Sequence, residues 1–247
     1  PWLAPGDAFT SDMSKALQAP SAQHWFGTDK LGRDVLSRII YGTQLSLFMG
    51  VSIVVIMVSI GTVIGAVAGY FGGKVEMILM RLADIMLSFP GVVLAIAIAG
   101  ILGGSIVNTI LALSVVGWAK YARLVRSMTL KVRGEEYVTA AVMMGASTAT
   151  ILRRHIIPNI MPLVVTTGAL DIGAIMIEVA GLSFLGLGVK PPMAEWGSMI
   201  NDGRSMLQIS PWMVLAPGLA IFITVMIFNL LGDTLRDFMD PKERAKK

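Results

Sequence analysis

Long apolar runs separated by short polar intervals dominate the chain, and five of them are long enough to cross a bilayer: residues 44–70, 84–103, 106–127, 160–185 and 212–234. A spanning helix needs roughly 20 mainly apolar residues, and none of the runs reads as a β-strand. The pattern predicts an all-α fold, a polytopic transmembrane helical bundle with five spans visible. Pro1 is preceded by neither an initiator methionine nor an apolar leader, so either an upstream span brings the full chain to six or processing has removed the start. Gly61, Gly65 and Gly69 form a small-residue ridge on the first run, which lets another helix approach closely. Pro90, after Ser88 and Phe89, predicts a kink in the second. Ahead of the first span, Arg33 to Tyr41 reads as an amphipathic helix lying on the outer surface, with Val35, Leu36, Ile39 and Ile40 on or near one face and Asp34 near its N-terminus.

Composition agrees with the pattern and narrows it. Hydrophobic residues make up 55% of the 247 residues and charged residues 15%, against about 25% charged in ordinary soluble domains. This is an integral membrane protein without room for a separate soluble domain. The expected organisation is an external segment at 1–43, a membrane domain at 44–240 containing a cytoplasmic loop at 128–159, and a basic cytoplasmic tail at 241–247. The absence of cysteine excludes disulfides, thiolate metal sites and cysteine nucleophiles. Orientation follows from the basic residues. If the loop after the first run is cytoplasmic, fourteen lysines and arginines lie inside and six outside, so the positive-inside rule places that loop and the C-terminus in the cytoplasm.

The loop between the third and fourth runs carries the most information. Tyr137, Ala140, Ala141 and Met144 recur at helical spacing, giving a face of one aromatic, two methyls and one thioether suited to seating in a groove. This helix is read over 135–144 and includes Glu136, Gly145 ends it by supplying a left-handed cap, and Ser147 or Thr148 caps a second short helix through Ile151, Leu152, Arg153 and Arg154. Pro158 is expected to stop that helix, with Asn159 and Pro162 opening the next span. An amphipathic helix resting on lipid headgroups is the alternative for the same pattern.

Resemblance decides between these readings. The stretch Ala140-Ala141-Val-Met-Met-Gly145-Ala-Ser, followed by Arg154-His-Ile-Ile-Pro158-Asn, resembles the coupling loop of ABC importer permeases, in which a Glu-Ala-Ala triplet precedes a glycine by three residues. His24 to Arg38, Phe184 to Gly197 and Asn229 to Asp237 resemble the external segment, last external loop and final span of the dipeptide, oligopeptide and nickel permeases. One departure is plain, since Thr139 stands where the triplet has glutamate. The resemblance implies the type I permease fold of ABC importers and a place in the bacterial inner membrane. It also implies that this subunit pairs with a second, homologous permease, two cytoplasmic ATP-binding subunits and an extracytoplasmic solute-binding protein, surrounded by membrane lipid. Residues Glu136, Tyr137, Ala140, Ala141, Met144, Gly145, Ile151 and Arg154 would then form the ATPase-coupling loop. The run Ile175 to Gly188 is similar to the nickel or metallophore branch, so cargo stays open between a metal chelate and a di- or oligopeptide.

No Walker A loop is present: Gly73-Lys74 is followed by Val75 and lacks the glycine five positions before Gly73, so ATP hydrolysis must come from partner subunits. A non-catalytic subunit is expected, with no cofactor, metal site or nucleic-acid partner, because His-Glu-x-x-His and Gly-x-Ser-x-Gly motifs are missing. Asp171 and Glu178, seven residues apart in the fourth run, are the candidate translocation-path residues, since acids at membrane depth are costly and face a protein interior or a water-filled route. Against that stands structural pairing, with Asp171 taking a hydrogen bond from Thr167. Asp84 reads as an i, i+3 partner of Arg81. An ATP-independent secondary transporter or channel would also explain the spans and acids, but has no use for the coupling loop.

Overall fold

A computed structural model describes residues 3–239, and the basic tail expected at 241–247 lies outside the described residues. The described chain contains α1 (Val35–Phe71), α2 (Gly73–Ser88), α3 (Gly91–Leu102), α4 (Ile106–Arg133), α5 (Glu136–Met143), α6 (Thr148–Ile151), α7 (Ile157–Phe184), α8 (Trp196–Gly203) and α9 (Trp212–Met239). The all-helical expectation is met, and a helix occupies each of the five apolar runs. Three helical stretches are long and apolar enough to cross a membrane: Val35–Phe71, Thr148–Phe184 and Trp212–Phe238. The pair α2 and α3, bent by 88° at the Ser88-Phe89-Pro90 break, makes a fourth if it is one broken span. The expected kink at Pro90 is thus a full break. Helix α4 falls short of the same apolarity because Lys120, Arg123 and Arg126 interrupt its second half.

The chain divides into two compact units. One comprises Pro1–Ser52, Ile96–Ala112 and Ile172–Phe228. In it the expected surface helix at Arg33 to Tyr41 is not a separate element: α1 starts at Val35 and continues into the span, and Val35 and Ile39 are buried against Trp196 and Met199. The Trp196 indole fixes this packing by donating to the Ile39 carbonyl at 3.0 Å. Asp34 does sit at the helix start, where its Oδ2 accepts from the Ser37 N–H at 2.7 Å and its Oδ1 lies 2.9 Å from His24 Nδ1. Asp29 holds the preceding turn, with Oδ1 accepting from the Leu31 and Arg33 N–H groups and Oδ2 from Arg33 Nε at 2.7 Å. Glu195 caps α8 by accepting from Gly197 and Ser198 at 2.8 Å each. Burial raises its carboxyl above the ordinary range, and those two backbone donors pull in the opposite direction.

The second unit comprises Ile53–Ala95, Leu113–Asp171 and Asn229–Lys247. Its centre is the contact of α4 with the glycine ridge of α1. A Cβ on Gly61 would lie 2.8 Å from the Trp118 carbonyl oxygen, one on Gly65 would lie 2.5 Å from that of Ala122, and one on Gly69 would lie 2.8 Å from that of Arg126. The ridge is thus a packing device, as its spacing predicts. Ala83 of α2 packs in one cluster with Trp118, Ala119 and Ala122 of α4.

Candidate functional site

The loop after α4 is built as a rigid double bend. Helix α5 ends in a Schellman motif: the Gly145 N–H donates to the Val142 carbonyl at 3.0 Å and the Ala146 N–H to the Ala141 carbonyl at 3.1 Å, with Gly145 at φ +82°. Only glycine takes that conformation without strain. Ser147, rather than Thr148, caps α6 by accepting from the Thr150 N–H. Thr139, in the place of the family's glutamate, is exposed, and its hydroxyl reaches back to the Glu135 carbonyl at 3.4 Å.

Beyond Ile151 the chain departs from expectation. Pro158 does not stop the helix. Residues Leu152–Ile156 form a π-helical turn that runs directly into α7, giving a continuous helix from Thr148 to Phe184 with Pro158 and Pro162 inside it. In an α-helix the Pro158 ring would strike the carbonyl four residues back, and the wider π turn displaces that carbonyl. Asn159 completes the arrangement by donating its side-chain amide to the His155 carbonyl at 2.6 Å. The second half of the loop is therefore continuous with the α7 span as one helix.

The faces of α5 are sharply divided. Val138 and Ala141 are buried, and Val138 packs with Ile151, Ile156 and Ile160 in one cluster that reaches Val125 and Val132 of α4. Of the sequence candidates, Ala141 and Ile151 therefore anchor the loop to its own unit rather than face outward. Outward stand Tyr137 at 45% exposure, Met143 at 83% and Met144 at 81%, with Ala140 and Glu136 also exposed. Met143 was not among the candidates; the i, i+3, i+4 pattern favoured Ala141, because a helix two turns long presents a broad face that periodicity alone does not divide. The Tyr137 ring also lies against that of His155, with centroids 6.2 Å apart and planes tilted by 44°, bringing α5 to the π turn. Arg154 is exposed beside Arg153.

Helix α4 carries three ion pairs that sequence reading missed. Lys120 donates to both oxygens of Asp171 at 2.7 and 2.8 Å, and Tyr121 donates its hydroxyl to the same carboxylate at 2.6 Å. Arg123 pairs with Asp84 at 2.5 Å, and Arg126 grips Glu76 through Nε at 2.6 Å and through Nη2. Two expected pairings are corrected by this ladder. Asp171 takes nothing from Thr167, whose hydroxyl instead donates to the Leu163 carbonyl, and Asp84 pairs with Arg123 rather than Arg81. Charges on a membrane-crossing helix are costly, and pairing each cation with an acid offsets that cost. The signal was present in the sequence: three cations at spacing three on an apolar run, matched by Glu76, Asp84 and Asp171 on other helices. Glu178 is half-buried on α7, two turns beyond Asp171. Among the described residues no three His, Asp or Glu converge as a metal site.

The site can be set beside known proteins. Residues 61–245 match the family described as the binding-protein-dependent transport system inner membrane component. Over 245 residues, 99% of this chain and 81% of the relative, the chain is 43% identical to a dipeptide transport system permease protein of Alkalihalophilus pseudofirmus. It is 45% identical over 245 residues to a glutathione transport system permease protein of Pectobacterium atrosepticum, again covering 99% of this chain and 81% of the relative. A nickel transport system permease protein of Escherichia coli is 43% identical over 240 residues, 97% of this chain and 87% of the relative. In fold, the chain is similar to an inward-facing methionine ABC transporter, with a TM-score of 0.61 at 17% identity over 81% of this chain and 97% of that one. An amino acid ABC transporter follows at 0.57 and 18% identity, over 82% of this chain and 97% of the other.

Proposed function

Since the chain belongs to the inner-membrane components of binding-protein-dependent transport systems, as an ABC importer permease of the dipeptide and nickel type, we propose that it forms half of a translocation path and transmits to that path the motion of cytoplasmic ATPase subunits seated on α5. It is a multi-pass inner-membrane protein, and its relatives are named as permease proteins of transport systems. In this reading α4 is a fifth span, its cations carried into the membrane by their acidic partners. The loop and the C-terminus face the cytoplasm, and a second homologous permease completes the path. A solute-binding protein delivers cargo on the other side, and two ATP-binding subunits supply hydrolysis. Cargo is a di- or oligopeptide or a metal chelate; the relatives are named for dipeptide, glutathione and nickel transport.

The observation that carries the proposal is the two-faced α5, with Val138 and Ala141 locked inward and Tyr137, Ala140, Met143 and Met144 turned outward, continuous with α7 through the π turn. An inward-anchored short helix with an outward thioether and aromatic surface fits helix-in-groove docking. Its fusion to α7 gives the docked motion a stiff route to Asp171 and Glu178. In this reading Asp171 positions Lys120 and Tyr121, and Glu178, two turns further along α7, is taken as the path acid. A photo-crosslinking amino acid in place of Met143 tests the docking: it should trap the ATPase subunit of the purified complex, whereas the same probe at Phe89 should not. Uptake into proteoliposomes that proceeds at full rate without ATPase subunits would overturn the reading in favour of a secondary transporter.

A further inference from the structure

Beside the Arg123 and Arg126 pairs lies an open cleft of about 750 Å³ lined by Gly73, Glu76, Met77, Met80, Arg81 and Asp84 together with those two arginines. Its charges do not balance. Three guanidinium groups face two carboxylates, and both carboxylates are already engaged, Asp84 by Arg123 and Glu76 by Arg126. Arg81 is exposed and makes no ion pair among the described residues. A guanidinium presents five N–H donors in a planar fork suited to carboxylate or phosphate, so Arg81 leaves the cleft with a surplus of donors and of positive charge. The two methionines give the same cleft an apolar wall.

Its height in the fold says which oxyanion meets it. The cleft begins at Gly73, directly after Phe71 ends the long apolar helix α1, and Arg126 lies against Gly69 and Glu76. The part of α1 read as the span, 44–70, is itself about 40 Å long at 1.5 Å per residue, against a hydrocarbon core of about 30 Å, so the end of α1 stands at or beyond the headgroup level. Tyr70 and Phe71, edge to face at 5.5 Å, mark that level as interfacial aromatics do. An apolar wall adjoining an unpaired arginine at this height matches an acyl chain leading up to a phosphate. We propose that the cleft between α2 and α4 is a binding site for an anionic phospholipid headgroup, with Arg81 as its primary contact and Arg123 and Arg126 as supporting donors.

Native mass spectrometry of the purified transporter complex tests this, with phosphatidylglycerol and phosphatidylcholine added in equal amounts. The wild-type complex should retain phosphatidylglycerol in preference, and Arg81→Gln should lower that retention about fivefold, the contribution of one basic residue at an anionic surface, leaving phosphatidylcholine unchanged. Met77→Glu provides a second route that keeps the arginine: an acid four residues before Arg81 would engage it and lower phosphatidylglycerol retention similarly. Equal retention of the two lipids by the wild type, or unchanged phosphatidylglycerol retention in both variants, overturns the proposal. So does displacement of the lipid by inorganic phosphate added at constant ionic strength, which would mark a site for soluble anions.

Discussion

Replacing Gly65 with alanine tests whether the α1–α4 contact depends on bare backbone. The added Cβ would lie 2.5 Å from the Ala122 carbonyl oxygen, 2.8 Å from Val125 Cβ and 2.9 Å from the Arg126 amide nitrogen. Carbon contacts settle near 3.5–4.0 Å, so α4 must withdraw by about 1 Å. Two of the three obstacles are backbone atoms, which no rotamer change can move aside. Overpacking of this kind costs about 1–3 kcal/mol, while alanine returns up to about 1 kcal/mol of helix propensity. The net loss is about 1–2 kcal/mol, which in a chain of this size lowers the unfolding midpoint by roughly 2–8 °C. Gly218 on α9 supplies the control, because nothing lies within 4 Å of its Cβ position. Thermal unfolding of the detergent-purified complex should show Gly65→Ala below the wild type and Gly218→Ala level with it or above. A Gly65→Ala midpoint equal to that of Gly218→Ala would refute the reasoning.

Further outcomes follow from the same geometry. Gly145→Pro removes the N–H that reaches Val142 and demands a negative φ where the chain has +82°, so substrate-stimulated ATPase activity of the complex should be lost. Asp171→Asn weakens the hold on Lys120 and should lower stability by about 1 kcal/mol, discounted because Lys120 is 55% exposed; the exchange Lys120→Asp with Asp171→Lys should recover part of it in the same thermal assay. Glu195 holds its proton to higher pH in the folded chain than its ordinary value of 4.5, so its contribution is complete below that value and is lost as pH rises through the elevated folded one. Thermal midpoints above pH 4.5 should therefore fall less steeply with pH in Glu195→Gln than in the wild type.

Much of the architecture was legible because the determinants are local. A run of about 20 apolar residues has few alternatives to a membrane helix, and the Gly61-Gly65-Gly69 spacing announces close helix packing without naming the partner. Gly145 was legible for the same reason: a helix followed by a residue that alone accepts positive φ ends there. Pro158 was misread because a local rule was overridden. The clash it predicts is real, but a π turn just upstream relieves it, and nothing in the residue types of 152–156 distinguishes such a turn from an ordinary one. The α5 face was half legible, since its periodicity is right but two turns of helix leave the boundary between inside and outside to whatever packs against it.

The sequence by itself determined that the chain is a membrane-embedded helical bundle, where α5 ends, and that it carries no Walker A motif, because propensity, capping and motif are read within a few residues. Tertiary structure decided which residue meets which. Asp171 finds Lys120 across 51 positions and Glu76 finds Arg126 across 50. Charge pairing acts over a few ångströms of space and is indifferent to separation along the chain, so only the folded arrangement of α2, α4 and α7 could turn three isolated cations in an apolar helix into a paired ladder, and leave Arg81 beside that ladder with no ion pair among the described residues.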